Sequence, residues 1–109
     1  LETDDASFAV GLDVATGENR WKLDRPRKAN WTSPTVIETA AGPLVLLESA
    51  EGVTAVAPKT GGTAWKFEGG GSTISSLAPA GETLLIPADG ITAVRIPSAG
   101  SNPETLWNN

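Results

Sequence analysis

The side chains that could do chemistry in this chain are carboxylates, and they are spaced singly along it. A calcium or magnesium site needs several oxygens that converge on one point, and acid–base catalysis needs a positioned partner. The sequence contains no histidine and no cysteine, so the commonest general base, thiolate nucleophiles and zinc–thiolate sites are absent. We therefore predict no catalytic, metal-binding or cofactor-binding residue, and we expect solvated surface charge at Asp24, Glu38, Glu48, Glu51, Glu68 and Asp89.

The overall charge and hydropathy exclude two further classes of partner. Thirteen acidic residues against eight basic ones give a net charge of −5, which repels nucleic acid. The one basic cluster, Arg25, Arg27 and Lys28, lies in a proline-containing connection, which we expect to be solvated. No apolar run approaches the length of a membrane span, and we expect no retained signal peptide. The polar, acidic residues 1–7 are expected to fray.

The pattern of apolar residues predicts short strands joined by turns. Twelve glycines and eight prolines punctuate the chain, and long runs of helix-forming residues are missing. Asp13 to Gly17 has the composition of a tight hairpin turn, because aspartate accepts backbone hydrogen bonds and glycine tolerates positive φ. Strands are predicted over 8–13, 19–23, 31–38, 44–47, 53–57, 63–68, 73–78, 83–86, 91–96 and 104–107.

The chain also repeats itself with a period of about 40 residues. A Thr-Gly-x-x-x-Trp stretch occurs at 16–21 and again at 60–65, and a looser copy ends at Trp107. Residues 42–47 align with 81–86, and 52–56 align with 90–94 almost identically. Four strands per repeat are typical of propeller blades. We predict an all-β, single domain over 1–109: antiparallel four-stranded blades, about two and a half blades of a larger β-propeller, with a half blade at 6–23 and blades at 31–68 and 73–108.

These repeats resemble those of the pyrroloquinoline-quinone-like (PQQ-like) β-propellers, whose blades carry the tryptophan-docking pattern Ala-x-Asp-x-x-Thr-Gly-x-x-x-Trp. The first copy matches it from Gly11, which replaces Ala, to Trp21. The second copy has Ala57 where Asp is expected, and the third has Arg95 there and four inserted residues. The resemblance implies a structural docking motif in which each tryptophan packs as a buried anchor against the adjacent blade. Its residues here are Asp13, Thr16, Gly17, Trp21, Thr60, Gly61, Trp65 and Trp107.

The fourth tryptophan, Trp31, lies outside this pattern. It could form the floor of a central pocket or pack under the loop from Arg25 to Lys28, and we expect packing.

The resemblance implies a non-catalytic scaffold or protein-interaction domain without a cofactor, in the periplasm or another extracytoplasmic compartment. Because propellers close with four to eight blades, we expect two and a half blades to need further blades of a longer parent chain, or a second copy, beside them. Two alternatives remain open. The chain is a fragment of a quinone-dependent dehydrogenase whose catalytic residues lie elsewhere, or it is a carbohydrate-binding propeller with Trp31 as a stacking platform.

Overall fold

The computed structural model describes residues 1–98 and 100–109, and within them it consists of strands and their connections. The ten strands are β1 (Phe8–Leu12), β2 (Asn19–Asp24), β3 (Thr35–Thr39), β4 (Gly42–Ser49), β5 (Gly52–Val56), β6 (Thr63–Phe67), β7 (Ala78–Ala80), β8 (Thr83–Pro87), β9 (Ile91–Arg95) and β10 (Glu104–Asn108). In the described part of the chain, no helix is long and apolar enough to cross a membrane.

The strands form three antiparallel sheets, in each of which sequence neighbours pair. The first sheet contains β1 and β2, the middle sheet has the order β3-β4-β5-β6, and the last sheet has the order β7-β8-β9-β10. Short polar and glycine-containing connections allow this arrangement, because antiparallel neighbours need only a tight turn between them. The prediction of an all-β chain with antiparallel four-stranded sheets is confirmed to this extent.

The main hydrophobic core lies between the middle and the last sheet. Side chains alternate between the two faces of a strand, so Leu46, Ala55 and Trp65, which are directly paired across β4, β5 and β6, share one face. This face packs against Leu84 and Val94 of the last sheet. The opposite face of the middle sheet, which carries Leu47 and Val56, is also buried and lies towards the first sheet. The middle sheet is therefore covered on both faces.

Two strand predictions need correction. No strand forms over 73–77, and β7 begins only at Ala78, because the hydroxyl of Ser72 accepts hydrogen bonds from the N–H groups of Ile74 and Ser75 and curls the chain into a turn. β3 begins at Thr35 and not at residue 31. Upstream of it, the Asn30 side chain accepts a hydrogen bond from the N–H of Thr32, which replaces strand pairing.

The prediction that residues 1–7 fray is wrong. Glu2 pairs with Ser7 in an antiparallel bridge, and the hydroxyl of Thr3 accepts the N–H of Ala6 at 3.0 Å. Ser7 is buried, and its carbonyl accepts the N–H of Arg25 at 3.0 Å. The segment is held by backbone and side-chain hydrogen bonds, which its polar composition did not reveal.

Candidate interaction site

The three repeat tryptophans occupy the same register in their sheets. Trp21 pairs with Gly11, Trp65 with Ala55 and Trp107 with Ala93, and each sheet has a bulge beside this pair. The small residue opposite leaves room for the indole ring, since a Cβ on Gly11 would overlap the ring of Trp21. The bulge re-aims the outer strand locally. We call Trp21, Trp65 and Trp107 the docking tryptophans.

The two Thr-Gly turns are closed in the same way. The N–H of Gly17 donates to the carbonyl of Asp13 at 2.7 Å, and the N–H of Gly61 donates to the carbonyl of Ala57 at 2.8 Å. Both glycines have positive φ, 74° and 72°, a region that other residues rarely adopt. The threonine hydroxyl of each turn accepts the N–H two residues on, at 3.2 Å. The backbone geometry is thus repeated although only the first turn has the aspartate.

Asp13 adds side-chain contacts to the first turn. Its carboxylate accepts the N–H groups of Ala15 and Thr16 at 2.9 and 3.1 Å, and it forms an ion pair with Arg20. The Arg20 guanidinium, followed by the two backbone N–H groups, holds the pKa of Asp13 below its usual value. Because Arg20 is exposed, we expect the pair to contribute little to stability.

Trp21 docks on the second Thr-Gly turn. Its Nε1–H donates to the carbonyl of Pro58 at 2.7 Å, and its ring lies so close to Gly61 that a Cβ there would come within 2.6 Å of it. The contact joins the first sheet to the middle sheet across 37 positions of sequence. A docking tryptophan and a Thr-Gly turn therefore form a donor–receptor pair between neighbouring sheets.

Trp65 lies in the main core between the middle sheet and the last sheet, and it is 5% exposed. It also lines a cleft of about 640 Å³ together with Arg95, the last residue of β9, and with Ile96 and Pro97, which follow β9. Its buried Nε1 has no hydrogen-bond partner among the described residues, so it does not repeat the bond that Trp21 makes to Pro58. The predicted burial of Trp65 is confirmed.

Trp107 contradicts the prediction that all three tryptophans are buried anchors. Its exposed fraction is 49%, because nothing in the described chain covers the face of the last sheet on which it lies. Leu85 and Ile91 lie on the same face and correspond to Leu46 and Val53 of the middle sheet. Leu46 and Val53 are fully buried, whereas Ile91 is 42% exposed. We call this surface, formed by Leu85, Ile91, Ala93 and Trp107, the donor face.

The first sheet has an equally uncovered surface at the other end of the chain. Leu12 is 57% exposed, whereas the aligned residues Val56 and Val94 are completely buried. Val14, which aligns with the docked Pro58, is fully exposed. Apart from its two chain neighbours, no described residue comes within 4 Å of a Cβ built on Gly17. We call the surface formed by Val10, Leu12, Val14 and Gly17 the receptor face.

Glu48 is buried, so the prediction of solvated charge is wrong at this position. β4 runs two residues further than predicted, and its alternation places Glu48 on the same face as Leu46, with 2% of the residue exposed. Burial raises the pKa of Glu48 to about 7, and the N–H of Ser72, 2.9 Å from Oε1, opposes this rise. The loop can approach this closely because Gly71 has no side chain: a Cβ would lie 2.5 Å from the Ser49 carbonyl.

Arg25 is also buried, so the prediction that the basic cluster is solvated is wrong for this residue, whereas Arg27 and Lys28 are exposed as predicted. Its Nε donates to Glu2 at 2.7 Å, and its other nitrogens donate to the Thr54 hydroxyl and the Glu48 carbonyl at 3.3 and 3.4 Å. Asn30 contacts the same carbonyl at 2.6 Å. This network ties the N-terminal residues to the middle sheet. Nothing local in the sequence signals it, since Glu2 and Arg25 are 23 positions apart.

Trp31 does not pack under the loop, so the favoured prediction for it is wrong. Trp31 is 71% exposed, although its backbone N–H donates to the carbonyl of Thr73 at 2.7 Å. The extended backbone before β3 turns the ring outwards.

Within the described ranges, no group of three or more acidic side chains could hold a metal ion. No protein-family model matches the chain, and a search of curated proteins finds no match. At this point the fold defines an all-β protein of antiparallel sheets stacked through docking tryptophans, and its candidate functional surfaces are the donor and receptor faces.

Proposed function

We propose that this chain is a segment of a PQQ-like β-propeller and serves as a non-catalytic scaffold or protein-interaction domain in an extracytoplasmic compartment. The observation that carries the proposal is the pair of uncovered apolar faces at the two ends of the sheet stack. Leu12, Ile91 and Trp107 are 57%, 42% and 49% exposed, while Val56, Val53 and Trp65, which stand at the same positions of the middle sheet, are buried. Exposed apolar surfaces of this kind mark sites of protein contact.

The stacking pattern supports the propeller part of the proposal. Each of the two internal contacts places a docking tryptophan of one sheet towards the next sheet: Trp21 bonds the connection between β5 and β6, and Trp65 packs in the core with Leu84 and Val94. A repeated contact of one kind between successive four-stranded sheets is how propeller blades are arranged. The described chain contributes two four-stranded sheets and one two-stranded sheet to such a stack.

A capture experiment in an extract of the source organism tests this function. Immobilised wild-type protein is compared with Ile91→Lys, which places a charge on the donor face, and with Ile74→Lys, which makes the same change at a 72% exposed position outside both faces. We expect retained proteins, identified by mass spectrometry, that are lost with Ile91→Lys and kept with Ile74→Lys. The proposed location predicts that they come from the periplasmic fraction. Equal capture by all three proteins, or no capture, contradicts the proposal.

An activity assay separates the scaffold from a dehydrogenase fragment. The full-length parent protein is incubated with PQQ and calcium, and the oxidation of alcohols and sugars is followed by dye reduction. If the protein is a scaffold, we expect no turnover. Measurable turnover would contradict the scaffold proposal and support the alternative of a dehydrogenase fragment.

The exposure of Trp31 favours carbohydrate binding as a second candidate function. An exposed indole on a backbone fixed by the Thr73 hydrogen bond is a possible stacking surface for a sugar ring. Titration with a glycan panel should then change the tryptophan fluorescence of the wild type and not that of Trp31→Ala. No change with any glycan would refute this candidate.

A further inference from the structure

We infer that the donor face of one chain binds the receptor face of a second copy, so that the protein assembles head to tail through Trp107. The inference deepens the proposed function, on which it rests, by naming the partner as an identical chain. It starts from the two contacts between sheets that the chain already contains.

Both internal contacts join the same two kinds of surface. In each, the face that carries a docking tryptophan covers the opposite face of the following sheet, as Trp65 and Ala55 cover Leu84 and Val94. The first contact adds a hydrogen bond from the indole Nε1–H of Trp21 to the Pro58 carbonyl. One half of this contact, the donor face, is left open on the last sheet, and the other half, the receptor face, is left open on the first.

The receptor face has the backbone that docking requires. The turn at Gly17 matches the turn at Gly61 in φ, in the hydrogen bond that closes it and in the threonine hydroxyl contact. The two turns differ in what lies against them: the ring of Trp21 covers Gly61, whereas no described residue beyond its two chain neighbours comes within 4 Å of a Cβ built on Gly17. Docked in the same way, the Nε1–H of Trp107 would donate to the carbonyl of Val14, which corresponds to Pro58.

The side chains around the turn are suited to the same contact. Leu12 stands where the middle and last sheets have completely buried valines, and Val10 beside it is half-buried. On the donor face, Trp107 and Ile91 stand where the middle sheet has the buried Trp65 and Val53. Joining the two faces would remove from water the large apolar side chains that each leaves exposed.

The contact is heterologous, because the donor and receptor faces are different surfaces of one chain. Such a contact leaves a free donor face and a free receptor face at the two ends of every open assembly, which therefore grows into a ring where the rotation between neighbouring copies closes and into an open filament where it does not. A symmetric dimer would instead pair each face with itself. This difference gives the inference a sharp test.

The test uses two variants, each blocked at one end. Leu12→Lys disables the receptor face, Trp107→Lys disables the donor face, and Ile74→Lys adds the same charge at an exposed position outside both faces. Sedimentation velocity over a range of concentrations should show wild type and Ile74→Lys associating. Each blocked variant alone should associate at least about tenfold more weakly, because a lysine charge would have to be buried at the contact.

Mixing the two blocked variants should restore one contact. Leu12→Lys keeps its Trp107, and Trp107→Lys keeps its Leu12, so the mixture should form a heterodimer that cannot grow further. Circular dichroism and the thermal midpoint of each variant check that it is folded, and Ile91→Lys replaces Trp107→Lys if that variant unfolds.

Three results would overturn the inference: a wild type that stays monomeric at every concentration, association weakened equally by Ile74→Lys, or a mixture that forms no heterodimer. If the chain is monomeric but still captures other proteins through Ile91, the proposed function stands and self-assembly fails. If neither association nor capture depends on these faces, both fail.

Discussion

The buried carboxyl of Glu48 should make the protein less stable as the pH rises through the neutral range. Its pKa is raised from 4.5 to about 7, mainly because burial disfavours the charged form. Between these two values the folded protein holds a proton that the unfolded chain has released. The contribution of Glu48 to the free energy of unfolding is therefore fully present below about pH 4.5. It falls as the pH rises towards 7 and levels off above that value.

The expected size of this effect follows from the shift. Each pKa unit corresponds to about 1.4 kcal/mol, so the free energy of unfolding should fall by about 3 kcal/mol between pH 4.5 and pH 8. The charged groups nearest in the network, Arg25 and Glu2, do not bond the Glu48 carboxyl: Arg25 donates to its backbone carbonyl and to Glu2. The chain has no histidine, and therefore no imidazole adds its own titration to this range.

Urea unfolding followed by tryptophan fluorescence at a series of pH values measures this dependence. Glu48→Gln keeps an acceptor for the Ser72 N–H and cannot ionise, so its stability should be nearly constant from pH 5 to pH 8 and should exceed that of the wild type at pH 8. Glu51→Gln, at an exposed position three residues on, should keep the wild-type slope. A flat wild-type profile, or an equal slope in Glu48→Gln, would refute the reasoning.

Three further predictions concern the docking elements. Gly17→Ala and Gly61→Ala both place a Cβ at positive φ, which costs about 1 kcal/mol of folding free energy. Only the Cβ of Gly61→Ala also meets the Trp21 ring, so this variant should lose clearly more unfolding free energy in urea titrations. Equal losses in the two variants would contradict the docking contact. Trp65→Ala should lower the free energy of unfolding by about 3–5 kcal/mol. Trp107→Ala, measured in the monomer at high dilution, should lower it much less, because half of Trp107 is already exposed. Similar losses would show that Trp107 is an internal anchor. Asp13→Asn should slightly reduce the loss of stability that appears below the normal aspartate pKa, since the lowered pKa stabilises the fold only while the group is ionised and the pair is at the surface. A steeper loss of stability in acid for Asp13→Asn than for the wild type would disprove this.

The sequence predicted most of the strands because their signals are local. Alternating apolar residues, glycine-containing turns and the repeat at Thr16 and Thr60 each act within a few residues, and the pairing partners are sequence neighbours. Local competition explains where strand prediction failed: the Ser72 hydroxyl captures two backbone N–H groups and ends the strand predicted over 73–78 before it starts. The repeated Thr-Gly and tryptophan residues of the candidate site could be recognised in the sequence. Which turn is covered by a tryptophan ring, and which is left uncovered, could not.

The sequence alone determined the all-β class, the antiparallel neighbours and the register shared by Trp21, Trp65 and Trp107, because these depend on spacing and turn chemistry. Only the tertiary structure decided which of these tryptophans is covered, since burial depends on whether another sheet lies over the ring. The same holds for Glu48 and Arg25. Their charge is plain in the sequence, but their burial follows from strands and loops that are distant along the chain and close in space.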